Sequence, residues 1–287
     1  MIRRFSRVCL ALAFLLLPGA PGWTQETPFT VVPLRLGRAP VIDGLIEKEE
    51  WQDAALIDSF TQLDPHEGAP VSEPTEVRVG YDTHNLYFAI RGGDSDPSGV
   101  VAKVLTRDAE LTYDDTIEVI LDTFLDGRSA FLFATNPLGV QVDGLVRSEG
   151  EQINYDWDGL WSCAARRDDG GFTVEMAIPF RTLRFNPGPS QVWGFNVTRL
   201  IARKRELALW TPASHLDGYN ARYKISRYGR LSGRRLGDLQ RTGGIALEID
   251  PHGDHVQRPA LRPRRAPLRR GRDRGRDGRQ ADRDLAR

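Results

Sequence analysis

Cysteine is almost missing. The 287 residues hold two, Cys9 and Cys163. Cys9 lies inside the apolar run VCLALAFLLLP and leaves with it if that run is a cleaved leader, so no internal disulfide is expected and stability must come from a core. Long apolar runs are equally scarce. This one is too short to span a bilayer, and with the basic MIRRFSR before it and the small residues of GAPGWTQ after it, residues 1–22 read as a secretory signal cleaved after Gly22. Also absent are a GxSxG elbow, a Walker loop and a dinucleotide-binding glycine motif, which removes the usual footholds for nucleophilic or nucleotide chemistry. The five histidines, at 66, 84, 215, 252 and 255, have no zinc-ligand spacing.

Net charge is missing too, since 39 basic residues face 39 acidic ones, but the balance is uneven along the chain. The signal holds three Arg, and residues 252–287 hold twelve Arg and five Asp, which leaves 24 basic and 34 acidic residues between them. An acidic exported domain argues against nucleic acid as a partner. The tail RPALRPRRAPLRRGRDRGRDGRQADRDLAR lacks lysine, aromatics and apolar periodicity, so it is expected to be disordered. It reads either as an anion-binding arm or as a GC-rich gene translated out of frame. Residues 227–251 are expected to be a linker or the start of a further region.

What remains is a chain of short alternating segments separated by turn residues, the pattern of an all-β domain. EVRVGY and NLYFAIRG flank DTH as a hairpin; VVAKVLTRD, TIEVILD, SAFLFATN and VQVDGLVRS follow. LWSCAARR and FTVEMAIPF are joined by DDGG, and QVWGFNVTRLIAR pairs with ELALWTP. One short helix is expected over Glu47 to Ala54, with Trp51 plugging an end of the sheets. Cys163 reads as a small buried strand residue. Residues 30–226 are thus expected to form a two-sheet antiparallel β-sandwich of jelly-roll type with one N-terminal helix.

The densest chemistry is TYDDTIEVILDTFLDG, residues 112–127. Alternation sends Ile117, Val119 and Leu121 to the core, and Glu118, Ile120 and Asp122 to the other face. Glu118 and Asp122, four residues apart on one face, lie roughly 13 Å apart at Cα; glycosidase chemistry uses a carboxylate pair, but solvated strands show such pairs as well and no catalytic site is identified. Asp114, Asp115, Asp122 and Asp126 sit at the ends of the strand as candidate ligands of a structural calcium. Tyr113, Trp157 and Trp210 lie at strand edges or loops, where a flat ring suits the C–H face of a sugar.

The ordered pieces APVIDGLIEKEEW, EVRVGYDTHNLYFAIRGGD, DDTIEVILDT, FATNPLGVQVD, GGFTVEMAIPF and VWGFNVTR, over roughly residues 35 to 212, resemble the carbohydrate-binding module family 9 domain. The likeness is greater to the family 9-like N-terminal domain of large exported bacterial proteins whose other half looks like an outer-membrane β-barrel. In sugar-binding members two rings clamp a terminal sugar, while a Glu, an Arg and Asn side chains hold its hydroxyls. Glu118 matches that Glu and Asn136 that Asn; Tyr113 or a neighbour replaces one ring, Trp210 loosely matches the other, and Ala134 stands where the Arg would be. The resemblance implies a non-catalytic module for xylan- or cellulose-type polysaccharide, located in the periplasm, outer membrane or extracellular space. Tyr113, Trp157 and Trp210 are the expected stacking surfaces, and Glu118, Arg107 and Asn136 the polar partners. The alternative is a periplasmic scaffold or plug domain of an outer-membrane barrel protein that no longer binds sugar.

Overall fold

A computed structural model describes residues 29–233; the expected signal, the tail and most of the expected linker lie outside them. In chain order the elements are β1 (Thr30–Val31), β2 (Leu34–Arg35), α1 (Lys48–Trp51), β3 (Ala55–Ile57), β4 (Thr61–Asp64), β5 (Thr75–Tyr81), β6 (Asn85–Gly93), β7 (Thr116–Asp122) and β8 (Ala130–Thr135). They continue with β9 (Gln141–Arg147), β10 (Gln152–Asn154), β11 (Ser162–Asp168), β12 (Gly171–Pro179), β13 (Gln191–Ile201), β14 (Glu206–Leu209) and β15 (Gly229–Gly233).

Two sheets result. A nine-stranded sheet runs β1-β15-β13-β7-β8-β9-β10, with β14 also on β13 and β4 on β14; a six-stranded sheet runs β11-β12-β6-β5-β2, with β3 also on β5. Pairing is antiparallel except at two short edges, β1 with β15 and β2 with β5. The inner faces meet in one core, where Ile117, Val119 and Leu121 of β7 pack with Val77, Val79, Phe88, Ile90, Val174 and Phe195. Period-2 alternation put these residues on one face, and burying that face supplies most of the driving force.

Each outer face is partly covered. On the six-stranded sheet Trp51 packs against Leu36, Tyr87, Ala89 and Ala177, and its indole N–H donates to Glu175 at 2.8 Å. Trp51 therefore seals an outer face rather than plugging an end, and its helix is one turn, Lys48–Trp51. On the nine-stranded sheet Tyr223, Ile225 and Tyr228, from a run of 3-10 turns, cover Ile120, Leu132 and Val146. Every residue of β7 is consequently buried, Glu118 and Asp122 included, so its second face is not solvated.

Two other expectations are corrected. VVAKVLTRD forms no strand, because the Asp114 carboxylate takes the N–H groups of Lys103 and Val104 that a sheet partner would need. The expected boundary after residue 226 falls too early, since β15 pairs with β13 from Gln191 to Phe195. Cys163 does pack against the core and is half-buried, with its thiol pushed up to about 12 by burial.

Candidate functional site

Register on the nine-stranded sheet creates a depression. Thr198 of β13, Glu118 of β7, Ala134 of β8 and Val142 of β9 stand in one cross-strand row on the outer face. With Ala134 the smallest of the four, the row sinks beside Glu118, and Thr116, Leu132 and Leu200 extend the floor. Walls come from residues 108–112, from Tyr155 just beyond β10, and from Tyr219 and Arg222 in the turns that lead to β15. The enclosed volume is about 500 Å3, within the range of small-ligand sites.

Glu118 is the polar centre of this floor. One carboxylate oxygen accepts the Thr198 hydroxyl at 2.8 Å and the other the Tyr223 hydroxyl at 3.0 Å. The Arg222 guanidinium stands 3.8 Å from the second oxygen and lies over the Tyr223 ring, 4.7 Å from its centroid. Glu118 is the main reason the Arg222 guanidinium is held firmly charged, while burial and then the Glu118 charge push the Tyr223 hydroxyl well above its usual range. Burial, followed by Glu118, also raises the half-exposed Tyr155. The ensemble is a fixed carboxylate and a fixed guanidinium set in an apolar floor of Leu132, Ala134, Val142 and Leu200, with Tyr155 and the fully exposed Tyr219 at the rim. Vicinal hydroxyls suit such a pair, one donating to the carboxylate and one accepting from the guanidinium, while the rings offer a stacking face.

Of the six sugar-contact candidates, Glu118 alone lines this pocket. Asn136 is fully buried and spends its amide on the Val104 carbonyl and Asp114, while its oxygen accepts from Leu138 and Val140. It closes the turn after β8. Arg107 neutralises the buried Asp143 at 2.7 Å and reaches Gln141 and Asp108. Trp157 sits 5.2 Å from Phe131 and 5.9 Å from Phe133, edge residues of the core, and Trp210 is 4% exposed between Phe29 and Phe195. Both rings face the core because buried area stabilises a tryptophan more than an exposed seat does. Tyr113 is 83% exposed and stands one residue outside the wall.

The four aspartates are not brought together. Asp114 and Asp115 precede or open β7, whereas Asp122 and Asp126 close it, roughly 20 Å away at the strand rise per residue. Asp122 accepts the N–H groups of Asp126 and Gly127, and Asp126 those of Arg128 and Ser129, so this pair shapes the β7–β8 turn. Asp115 accepts from Ala202 N–H at 2.8 Å, and burial pushes its carboxyl up. Among the described residues no group of three or more His, Cys, Asp and Glu side chains is placed to hold a metal.

Sequence reasoning missed Tyr155, Tyr219, Arg222 and Tyr223. The available signal was the tyrosine and arginine density of DGYNARYKISRYG, residues 217–229, which has no strand period and adjoins the expected boundary.

A two-sheet sandwich is an architecture found among carbohydrate-binding modules. The profile described as "Carbohydrate family 9 binding domain-like" matches residues 42–206, and the chain belongs to that family. Among solved structures it is similar to a family 9 carbohydrate binding module from Caldicellulosiruptor kristjanssonii in complex with cellotriose, at 16% identity and a TM-score of 0.52, covering 77% of this chain and 100% of that one. It is also similar to a candidate carbohydrate-binding protein from Bacteroides uniformis, at 10% identity and a TM-score of 0.57, covering 71% of this chain and 99% of that one. At these identities the likeness is one of fold. No curated protein matches the sequence.

Proposed function

We propose that this chain is an exported, non-catalytic carbohydrate-binding module that seats a sugar unit of a xylan- or cellulose-type polysaccharide in the pocket over Glu118. The observation that carries the reading is the Glu118–Arg222 pair at 3.8 Å on the floor of a 500 Å3 pocket with Tyr155 and Tyr219 at its rim. Arg222 occupies the role left open by Ala134, reaching the same carboxylate from a different segment. Export is supported by the leader-like sequence of residues 1–22.

Calorimetric titration with cello- and xylo-oligosaccharides tests this. Wild type is expected to bind one of the two series. Glu118→Gln and Arg222→Gln are each expected to weaken it by about tenfold or more, since a charge-assisted hydrogen bond contributes about 1.5–3 kcal/mol. Folded wild type that binds neither series, or variants that bind as tightly as wild type, would reject the assignment.

A further inference from the structure

The outer face of the six-stranded sheet carries a second depression of about 520 Å3. Register explains its charge. Glu76 of β5 faces Arg91 of β6, Arg91 faces Thr173 of β12, and Thr173 faces Arg166 of β11. Arg78 stands opposite Ala89, diagonal to Arg91. At ordinary strand spacing, Arg78 and Arg166 therefore flank Arg91, each within roughly 10 Å of it at Cα. Ala89 and Thr173 are buried and give the trough a low floor, and Leu45 and Ile46 of the N-terminal cover add an apolar wall.

Four arginines and two acids line this groove, on a domain that is otherwise acidic. The arginines are not equally engaged. Arg91 is bound through both terminal nitrogens to Asp168, Arg166 donates to the Asp43 carbonyl at 2.9 Å and lies 3.8 Å from the Asp43 carboxylate, and Arg167 holds the Val100 carbonyl. The Arg78 side chain is half-buried and has no hydrogen-bond or ion-pair partner among the described residues. Glu76 lies two residues from Arg78 on the same face of β5 but forms no ion pair with it, and a partly desolvated guanidinium without an ion-pair partner, beside others of its kind, is a seat for an oxyanion, which it meets with two parallel N–H donors. The trough crosses β5, β6, β12 and β11 and has an apolar wall on one side in Leu45 and Ile46, so it accommodates a chain with carbon faces rather than a lone ion.

We infer that this groove binds the carboxylates of an acidic glycan, a uronate chain, with Arg78 as the primary contact and Arg166 as the second. It lies on the other sheet from the Glu118 pocket and does not depend on that assignment.

The test is titration of the full chain with hexagalacturonate at low ionic strength, alongside Arg78→Gln, Arg166→Gln and Glu118→Gln. Saturable binding is expected, weakened about tenfold by Arg78→Gln, less by Arg166→Gln, and reduced by added salt. Glu118→Gln is expected to bind it as wild type does. Arg78→Gln gives up no side-chain hydrogen bond or ion pair among the described residues, so its thermal melt should match wild type and loss of binding reads as loss of contact. Absence of binding by wild type, full binding by Arg78→Gln, or loss in Glu118→Gln would each overturn the inference. The neutral-oligosaccharide titration of the Glu118 pocket stands or falls separately.

Discussion

At the scale of single residues, the same side-chain types divide sharply by where their strands point them. Glu118 and Asp122 lie on one face of β7, yet Asp122 caps a turn and Glu118 is the centre of a pocket. The alternation of TIEVILD made that shared face legible, but which carboxylate stands in a pocket depends on Thr198 and Tyr223, 80 and 105 residues further along the chain. Aromatics were harder still. Trp157 and Trp210 sit near strand ends where core and rim positions have the same local pattern, and only packing against Phe131, Phe133, Phe29 and Phe195 separates them. The distinction has a measurable consequence. Trp210→Ala should destabilise the fold by about 3–5 kcal/mol, as large-to-small changes in cores do, readable in a urea melt. A stacking Trp at the rim would instead leave the melt nearly unchanged and alter only sugar binding.

At the scale of elements, the longer hairpins were readable and the segments that wall the pocket were not. Hairpins such as β5–β6 and β11–β12 carry period-2 alternation and turn residues between them. The segment that walls the pocket, by contrast, is a run of 3-10 turns held by long-range contacts, which leave no periodic trace. One such contact is His215, whose Nδ1 lies 2.8 Å from Glu67 and whose Nε2 lies 2.9 Å from Asp64. Both ring nitrogens can donate only in the imidazolium form. Asp64, and after it Glu67, raise the His215 pKa above 6.5. A raised folded-state value means that this tie contributes in full below about pH 6.5 and is lost as pH climbs through the folded value. The melting temperature of wild type should therefore exceed that of His215→Gln at pH 5.5, and the gap should close under alkaline conditions. A gap that persists unchanged across that range would show that the imidazolium does not tie this wall.

At the scale of the molecule, the two outer faces carry depressions of different chemistry. A sandwich buries its inner faces and leaves its outer faces for covering segments and ligands. Here the C-terminal turns leave open a pocket centred on Glu118, and the N-terminal segment leaves open an arginine-lined groove. Fold class and the longer strands followed from alternation and turn residues. The pocket depended on cross-strand register and on a segment adjoining the expected domain boundary, neither of which a single sequence displays. Backbone amide shifts recorded while the protein is saturated with cellotriose or xylotriose test the assignment most directly. Perturbations should gather on Ala134, Val142 and Thr198 of the cross-strand row and on Tyr219 and Arg222 above it. Saturable binding whose perturbations fall instead around Tyr113 alone, or on β11 and β12 of the other sheet, would contradict a sugar site over Glu118.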